Sequence, residues 1–152
     1  NIGFCSIQET DLYSIINRCR TLQHLNISSI PLSIPTVQWI TACLNDLQSL
    51  SISYTKTITI ELLLLLFKLS TLIQLNLTNI QLISNEIIID SLCDINVLPN
   101  LKLLDVSLTN VTTAQIDRLS TAKPNLTIVK FNKKLEANNY YKMRDPNSIF
   151  LL

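Results

Sequence analysis

Thr71-Leu72-Ile73-Gln74-Leu75-Asn76-Leu77-Thr78 decides the fold, because its skeleton Leu72-x-x-Leu75-x-Leu77 returns four more times. The other copies read Leu22-x-x-Leu25-x-Ile27, Leu47-x-x-Leu50-x-Ile52, Leu101-x-x-Leu104-x-Val106 and Leu126-x-x-Val129-x-Phe131. Their first leucines are 25, 25, 29 and 25 residues apart, and all fifteen slots are apolar in a chain that is 47% hydrophobic. Chance fills such a set roughly once in 10^5 trials. A fixed period of this size means stacked units, each unable to bury its apolar face without a neighbour.

Within each unit the phrase alternates as a short strand with one buried face should, with Leu75 and Leu77 inward and Gln74, Asn76 and Thr78 outward. Thr10, Thr36, Thr59, Ser84 and Thr112 are expected to cap the helices that follow. Apolar residues then recur at helical spacing: Leu12, Ile15, Ile16 and Cys19; Val37, Ile40, Cys43 and Leu44; Leu62, Leu65, Leu66 and Leu69; Ile116 and Leu119. Pro99-Asn100 and Pro124-Asn125 stop two helices just before the leucine phrase. The extra four residues of the fourth unit, near Ile87 to Asp90, are expected to lengthen its helix or the preceding loop. Strands joined by helical crossovers run parallel. Helices are about 10 Å wide and strands about 4.8 Å apart, so such a stack is expected to curve. The expected fold class is therefore α/β: a right-handed β-α superhelix with its parallel sheet on the concave face and helices on the convex face.

The segment Cys5-x-Ile7-x-x-x-x-Leu12-x-x-Ile15-x-x-x-Cys19-x-x-Leu22-x-x-Leu25-x-Ile27 resembles the cysteine-containing leucine-rich repeat. That subtype occurs in F-box/leucine-rich-repeat proteins and ribonuclease-inhibitor-like solenoids. Ser51-Ile52-Ser53-Tyr54-Thr55 and Asp105-Val106-Ser107-Leu108-Thr109 also resemble the leucine-rich regions of Zyg-type cullin substrate receptors. The resemblance implies a solenoid of about five repeats over residues 1–132, then a capping or linker segment over 133–152. It also implies substrate recognition for a cullin-type ubiquitin ligase. One departure stands out. Three residues after the last strand leucine the family carries Asn or Cys; here the slot reads Cys5, Ile30, Thr55, Ile80 and Thr109. The loops are therefore expected to use backbone or water contacts in place of a side-chain ladder.

At 152 residues and 17.2 kDa the chain suffices for one cored domain. Charged residues are 15% and the net charge is +1, which gives no footprint for nucleic acid. The longest apolar run, Leu62 to Phe67, is far too short to cross a bilayer, so no membrane insertion is expected. There is no initiator methionine, signal peptide or basic presequence. Asn1-Ile2 aligns with Asn26-Ile27, which predicts an uncapped first strand and a chain excised from something larger, or covered by another chain. Cys5, Cys19, Cys43 and Cys93 lack metal or redox spacing and read as reduced core thiols, placing the protein in the cytoplasm or another reducing intracellular compartment. Sequons begin at Asn26, Asn76, Asn110 and Asn125, and would carry glycans only in a secreted chain.

Catalysis is not expected. Gly3 is the sole glycine, which rules out a glycine-rich phosphate loop, and His24 is the sole histidine. Asp11, Asp46, Glu61, Glu86, Asp90, Asp94 and Asp117 fall mostly on helix segments as solvated charges. No nucleophile pairs with a base, and no cofactor or metal is implied. Trp39 reads as a packed helix residue, and Lys130, Lys133 and Lys134 as a solvated edge or a docking patch for an acidic partner.

Function is expected on the inner wall, where a protein partner would lie on the concave face or the uncapped edge. The outward set runs His24, Asn26, Ser28; Ser49, Ser51, Ser53; Gln74, Asn76, Thr78; Leu103, Asp105, Ser107; Ile128, Lys130, Asn132. From these and the strand ends, the candidate binding residues are His24, Asn26, Ser51, Tyr54, Gln74, Asn76, Asp105 and Lys130. Hot spots favour Trp, Tyr and Arg, so Tyr54 is the best aromatic anchor. Two functions lead: the recognition module of a ubiquitin-ligase receptor, or an architectural subunit of a large mitochondrial or cytoskeletal assembly; a third, an extracellular recognition domain, requires glycans on Asn26 and Asn76. On this register Asn76→Ala is expected to cost under about 0.5 kcal/mol.

Overall fold

The structure, a computed structural model, describes residues 2, 3 and 8–131. Cys5, Asn132, Lys133, Lys134 and the segment 133–152 lie outside the described residues. Among the described residues five α-helices alternate with five three-residue strands. They are α1 (Glu9–Arg18), β1 (His24–Asn26), α2 (Ile34–Cys43), β2 (Ser49–Ser51), α3 (Ile60–Leu66), β3 (Gln74–Asn76), α4 (Glu86–Cys93), β4 (Leu103–Asp105), α5 (Thr113–Ala122) and β5 (Thr127–Val129). A 3-10 turn, Gln81–Ser84, precedes α4. The strands form one all-parallel sheet in chain order, and each crossover carries one α-helix.

The register sets Leu25, Leu50, Leu75, Leu104 and Ile128 side by side. Leu25 to Leu104 are buried, and with Leu12, Ile16, Ile40, Leu63, Leu66, Ile89 and Leu119 from the helices they belong to one core. Consecutive helices touch in chain order. This explains α3, which is apolar all round: Leu62, Leu63 and Leu66 are buried and Leu64 and Leu65 half-buried, because a helix flanks it on either side.

Thr59 and Thr112 cap as expected, their hydroxyls accepting from Leu62 N and Gln115 N at 3.2 Å each. The other three caps differ. The α1 helix opens at Glu9 because the Asp11 carboxylate accepts from Gln8 N at 2.9 Å, one turn too early for Thr10. Ser33 displaces Thr36, since Pro35 in the first turn lacks an N–H and is pre-set for the helix entry. Thr36 is buried instead and donates to the Tyr13 hydroxyl at 3.0 Å. Ser84 closes the 3-10 turn, leaving Asn85 to accept from Ile87 N at 2.9 Å.

Three further expectations need correction. Of the two alternatives for the extra residues of the fourth unit, the longer helix fails, since α4 has 8 residues against 10 in α2 and α5, and the longer preceding link holds in part. The extra residues sit in the 3-10 turn and in the loop after α4. Cys19 is exposed rather than core, because it lies at the C-cap where α1 ends; Cys43 and Cys93 are half-buried, and all three are free thiols.

The fifth strand is also slipped by one residue. Leu104 pairs with Ile128, not Val129, a step of 24 where the sequence phrase implied 25. In the three earlier joins two successive amides share one carbonyl, as Gln48 N and Ser49 N do on Gln23 O. Before β5 only Thr127 N takes that position, on Lys102 O, although Leu126 N makes the same turn bond to Lys123 O that Leu47 N makes to Leu44 O. One residue of slip reverses every side chain. Ile128 therefore packs on the core, and Phe131, expected inside, is 43% exposed.

Glu9 ties the first two units together, its Oε1 accepting from Ser33 N at 2.7 Å. Partial burial acts to raise its pKa, but hydrogen bonds from Ser33 and Thr36 outweigh that and hold the carboxyl below the usual range. A depressed folded pKa stabilises above the unfolded value and is lost as pH falls through the folded one. Urea midpoints of the native chain are expected to drop as pH falls below about 4.3, with a shallower drop in Glu9→Gln. Leu75→Ala is expected to cost about 2–5 kcal/mol in the same unfolding assay, as for any fully enclosed leucine.

Candidate functional site

Opposite the leucine row, the strands present two polar rows. The first holds His24, Ser49, Gln74, Leu103 and Thr127; the second holds Asn26, Ser51, Asn76, Asp105 and Val129. His24 is exposed at the start of β1. Gln74 is half-buried and its Oε1 is shut from solvent without a partner.

The second row bends the chain. Asn26 Oδ1 accepts from Ser28 N at 3.0 Å, Asn76 Oδ1 from Thr78 N at 2.9 Å, and Asp105 Oδ1 from Ser107 N at 2.9 Å. A side-chain oxygen that captures the amide two residues on turns the backbone without help from glycine. Soon after, each unit places a non-glycine residue at positive φ: Ser29 at 65°, Tyr54 at 61°, Asn79 at 63° and Leu108 at 59°. Their amides donate to the next unit, Ser29 N to Ser53 O at 2.8 Å and Tyr54 N to Thr78 O, Asn79 N to Ser107 O and Leu108 N to Phe131 O at 2.9 Å. This backbone ladder continues the sheet bonding past the strands, where Ile30, Thr55, Ile80 and Thr109 offer no side-chain ladder.

The hydroxyl wall is largely turned inward, which corrects its reading as a free surface. Ser28, Ser51, Ser53 and Ser107 are buried. The Ser28 hydroxyl donates to Asn26 Oδ1 at 2.7 Å, which uses its one proton. It therefore accepts from Ser51 at 2.8 Å and from Ser53 at 2.7 Å. Ser107 Oγ accepts from Phe131 N at 3.1 Å. Ser51 is thus a structural group, not a binding group. Asn26 is covered further: Ile2 N donates to Asn26 O at 3.2 Å, and a Cβ on Gly3 would lie 2.3 Å from Asn26 Oδ1. Lys130 is half-buried with its Nζ on the Val111 carbonyl, so it is not a free docking charge.

Of the eight candidates, His24 and Tyr54 are exposed, and Gln74, Asn76 and Asp105 present half-buried side chains. Tyr54 stands at the rim of a hollow of about 300 Å³ beyond the end of β2. Sequence reasoning missed a network between α4 and α5. Gln115 Nε2 donates to Ser84 O at 3.0 Å and Glu86 Oε1 at 2.6 Å, and Arg118 pairs with Glu86 at 2.7 Å and with Asp90. The bond from Gln115, then that from Arg118, hold the Glu86 carboxyl below its usual range. The offsets of 28 to 32 residues between these partners were visible only as the longer fourth repeat. Among the described residues no group of three His, Cys, Asp or Glu side chains can hold a metal, and no helix is long and apolar enough to cross a membrane.

Compared with known proteins, the chain matches no family model and no curated protein.

Because Asn76 Oδ1 serves Thr78 N, the sequence-based expectation for Asn76→Ala is revised upward. The substitution is expected to cost about 0.5–1.5 kcal/mol in denaturant unfolding, while exposed His24→Ala stays within about 0.5 kcal/mol.

Proposed function

We propose that this chain is a non-catalytic leucine-rich-repeat module, a curved solenoid whose inner wall and strand-end loops recognise a protein as the substrate-receptor part of a cullin-type ubiquitin ligase. The observation that carries the interaction reading is the in-register leucine row with a continuous polar row on its other side. Such an arrangement spends its apolar surface on holding units together and leaves exposed His24, half-buried Gln74, Asn76 and Asp105, and Tyr54 at the strand ends to meet a partner. The ubiquitin link rests on the family resemblance of Cys5 to Ile27 and of the two Ser/Thr-rich strand ends. The exposed free thiol of Cys19 supports a reducing intracellular setting, since an unpaired surface cysteine suits one.

A second reading has its own support. The wall's serines are consumed in internal bonds, and Ile87 on α4 and Ile95 just after it are exposed apolar side chains away from it. An architectural subunit, fixed in a large assembly through helices or edge, would show that pattern. Affinity purification of the full-length protein separates the two. Co-purification of a cullin adaptor, with a turnover target that accumulates when the adaptor is removed, is the expected result. A fixed stoichiometric complex without any adaptor would replace it with the architectural reading.

A further inference from the structure

We infer that the outer edge of β5 is an interface for the chain's own Ile149-Phe150-Leu151-Leu152, which pairs there as a further parallel strand. Such closure is independent of any cullin adaptor. It leaves the concave wall and the β1 edge to meet partners.

The β5 edge is set up for another join. In each join of the sheet the residue just past one strand donates its amide to the last residue of the next. Ile27 N donates to Ser51 O at 2.9 Å, Ile52 N to Asn76 O at 3.2 Å, Leu77 N to Asp105 O at 2.8 Å and Val106 N to Val129 O at 2.9 Å. The equivalent donor on β5 is Lys130 N, and among the described residues no strand lies beyond β5 to accept from it. The apolar row opens at the same place. Leu25, Leu50, Leu75 and Leu104 are buried, whereas Ile128 and Ile116 of α5 are half-buried and Phe131 is exposed. An unpaired edge with an apolar flank is a template for a further strand.

Three features of the chain select the occupant. Pro-Asn precedes each of the last two strands: β4 begins three residues after Asn100, and β5 two residues after Asn125. The same pair returns at Pro146-Asn147, and Ile149 stands two residues after it. Proline ends a crossover helix and holds its predecessor extended, so the pair returns the chain to the sheet. Ile149 to Leu152 is also the longest apolar run after Phe131, and as a strand it sets one face on the row that Ile128 leaves open. Finally, a parallel join needs a crossover of about a dozen residues or more. Residues 130–148 supply 19, against the 21 of residues 106–126 that join β4 to β5. A segment on the same chain meets the edge at an effective concentration on the order of mM, which favours it over a second copy in dilute solution.

The test is amide hydrogen exchange, read by NMR on the 15N-labelled full chain. Lys130 N is expected to exchange at least about tenfold more slowly than in the double variant Phe150→Asp/Leu151→Asp, whose charges cannot share the apolar row. Ile52 N and Leu77 N, bonded inside the sheet, are expected to stay protected in both and so report that the variant folds. Nuclear Overhauser contacts are expected between residues 128–130 and residues 149–152 of the native chain. Fast exchange at Lys130 in the native chain overturns the pairing. So does slow exchange that survives in the double variant, or that rises with chain concentration, which makes a second copy the occupant. Where the double variant loses Ile52 and Leu77 as well, absence of the native-chain contacts overturns it.

Discussion

The structure depends on one lateral contact: aliphatic side chains from successive strands meeting at the spacing of a parallel sheet. Leu25, Leu50, Leu75, Leu104 and Ile128 share that row, and no unit supplies more than three strand residues of its own. A three-residue strand is not stable by itself. It persists because the row is enclosed by helices that also touch one another in sequence. Helix entry, loop length and polar display are all subordinate to keeping this row aligned.

The polar residues next to that row show the same subordination. Asn26, Asn76 and Asp105 look like a display surface, yet each spends an oxygen on the amide two positions ahead. Their task is to steer the chain out of the sheet so that the following amides reach the next unit. Beyond the turn the exposed side chains are those of residues such as Tyr54 and Lys56. This moves the centre of interest from the middle of the wall to its strand-end rim.

What was legible in the sequence was whatever the period itself carries. The spacing of Leu22, Leu47, Leu72 and Leu101 placed four strands, their parallel order and the facing of their leucines. It failed where two local patterns compete for one register. Val129 and Ile128 are both β-branched and apolar, so the phrase could not tell which would join Leu104; the link into β5 is one residue shorter, with one amide on Lys102 O where the other joins place two on a carbonyl. Likewise Thr36 and Ser33 are both plausible caps until Pro35 is weighed, and Ser84 and Asn85 until the 3-10 turn is known. Burial of Ser28, Ser51 and Ser53 was hidden for a different reason. Small hydroxyls satisfy one another across strands, so an outward register position need not be a wet one.

The left-handed residues Ser29, Tyr54, Asn79 and Leu108 carry a consequence for how the molecule comes apart. Each disfavoured backbone conformation costs on the order of 1–3 kcal/mol, and each is held by an amide bonded to the neighbour downstream. A unit that loses this neighbour keeps the strain and loses the restraint. Partial detachment is therefore discouraged from within, and melting should spread from an end as a zipper opens rather than begin in the interior.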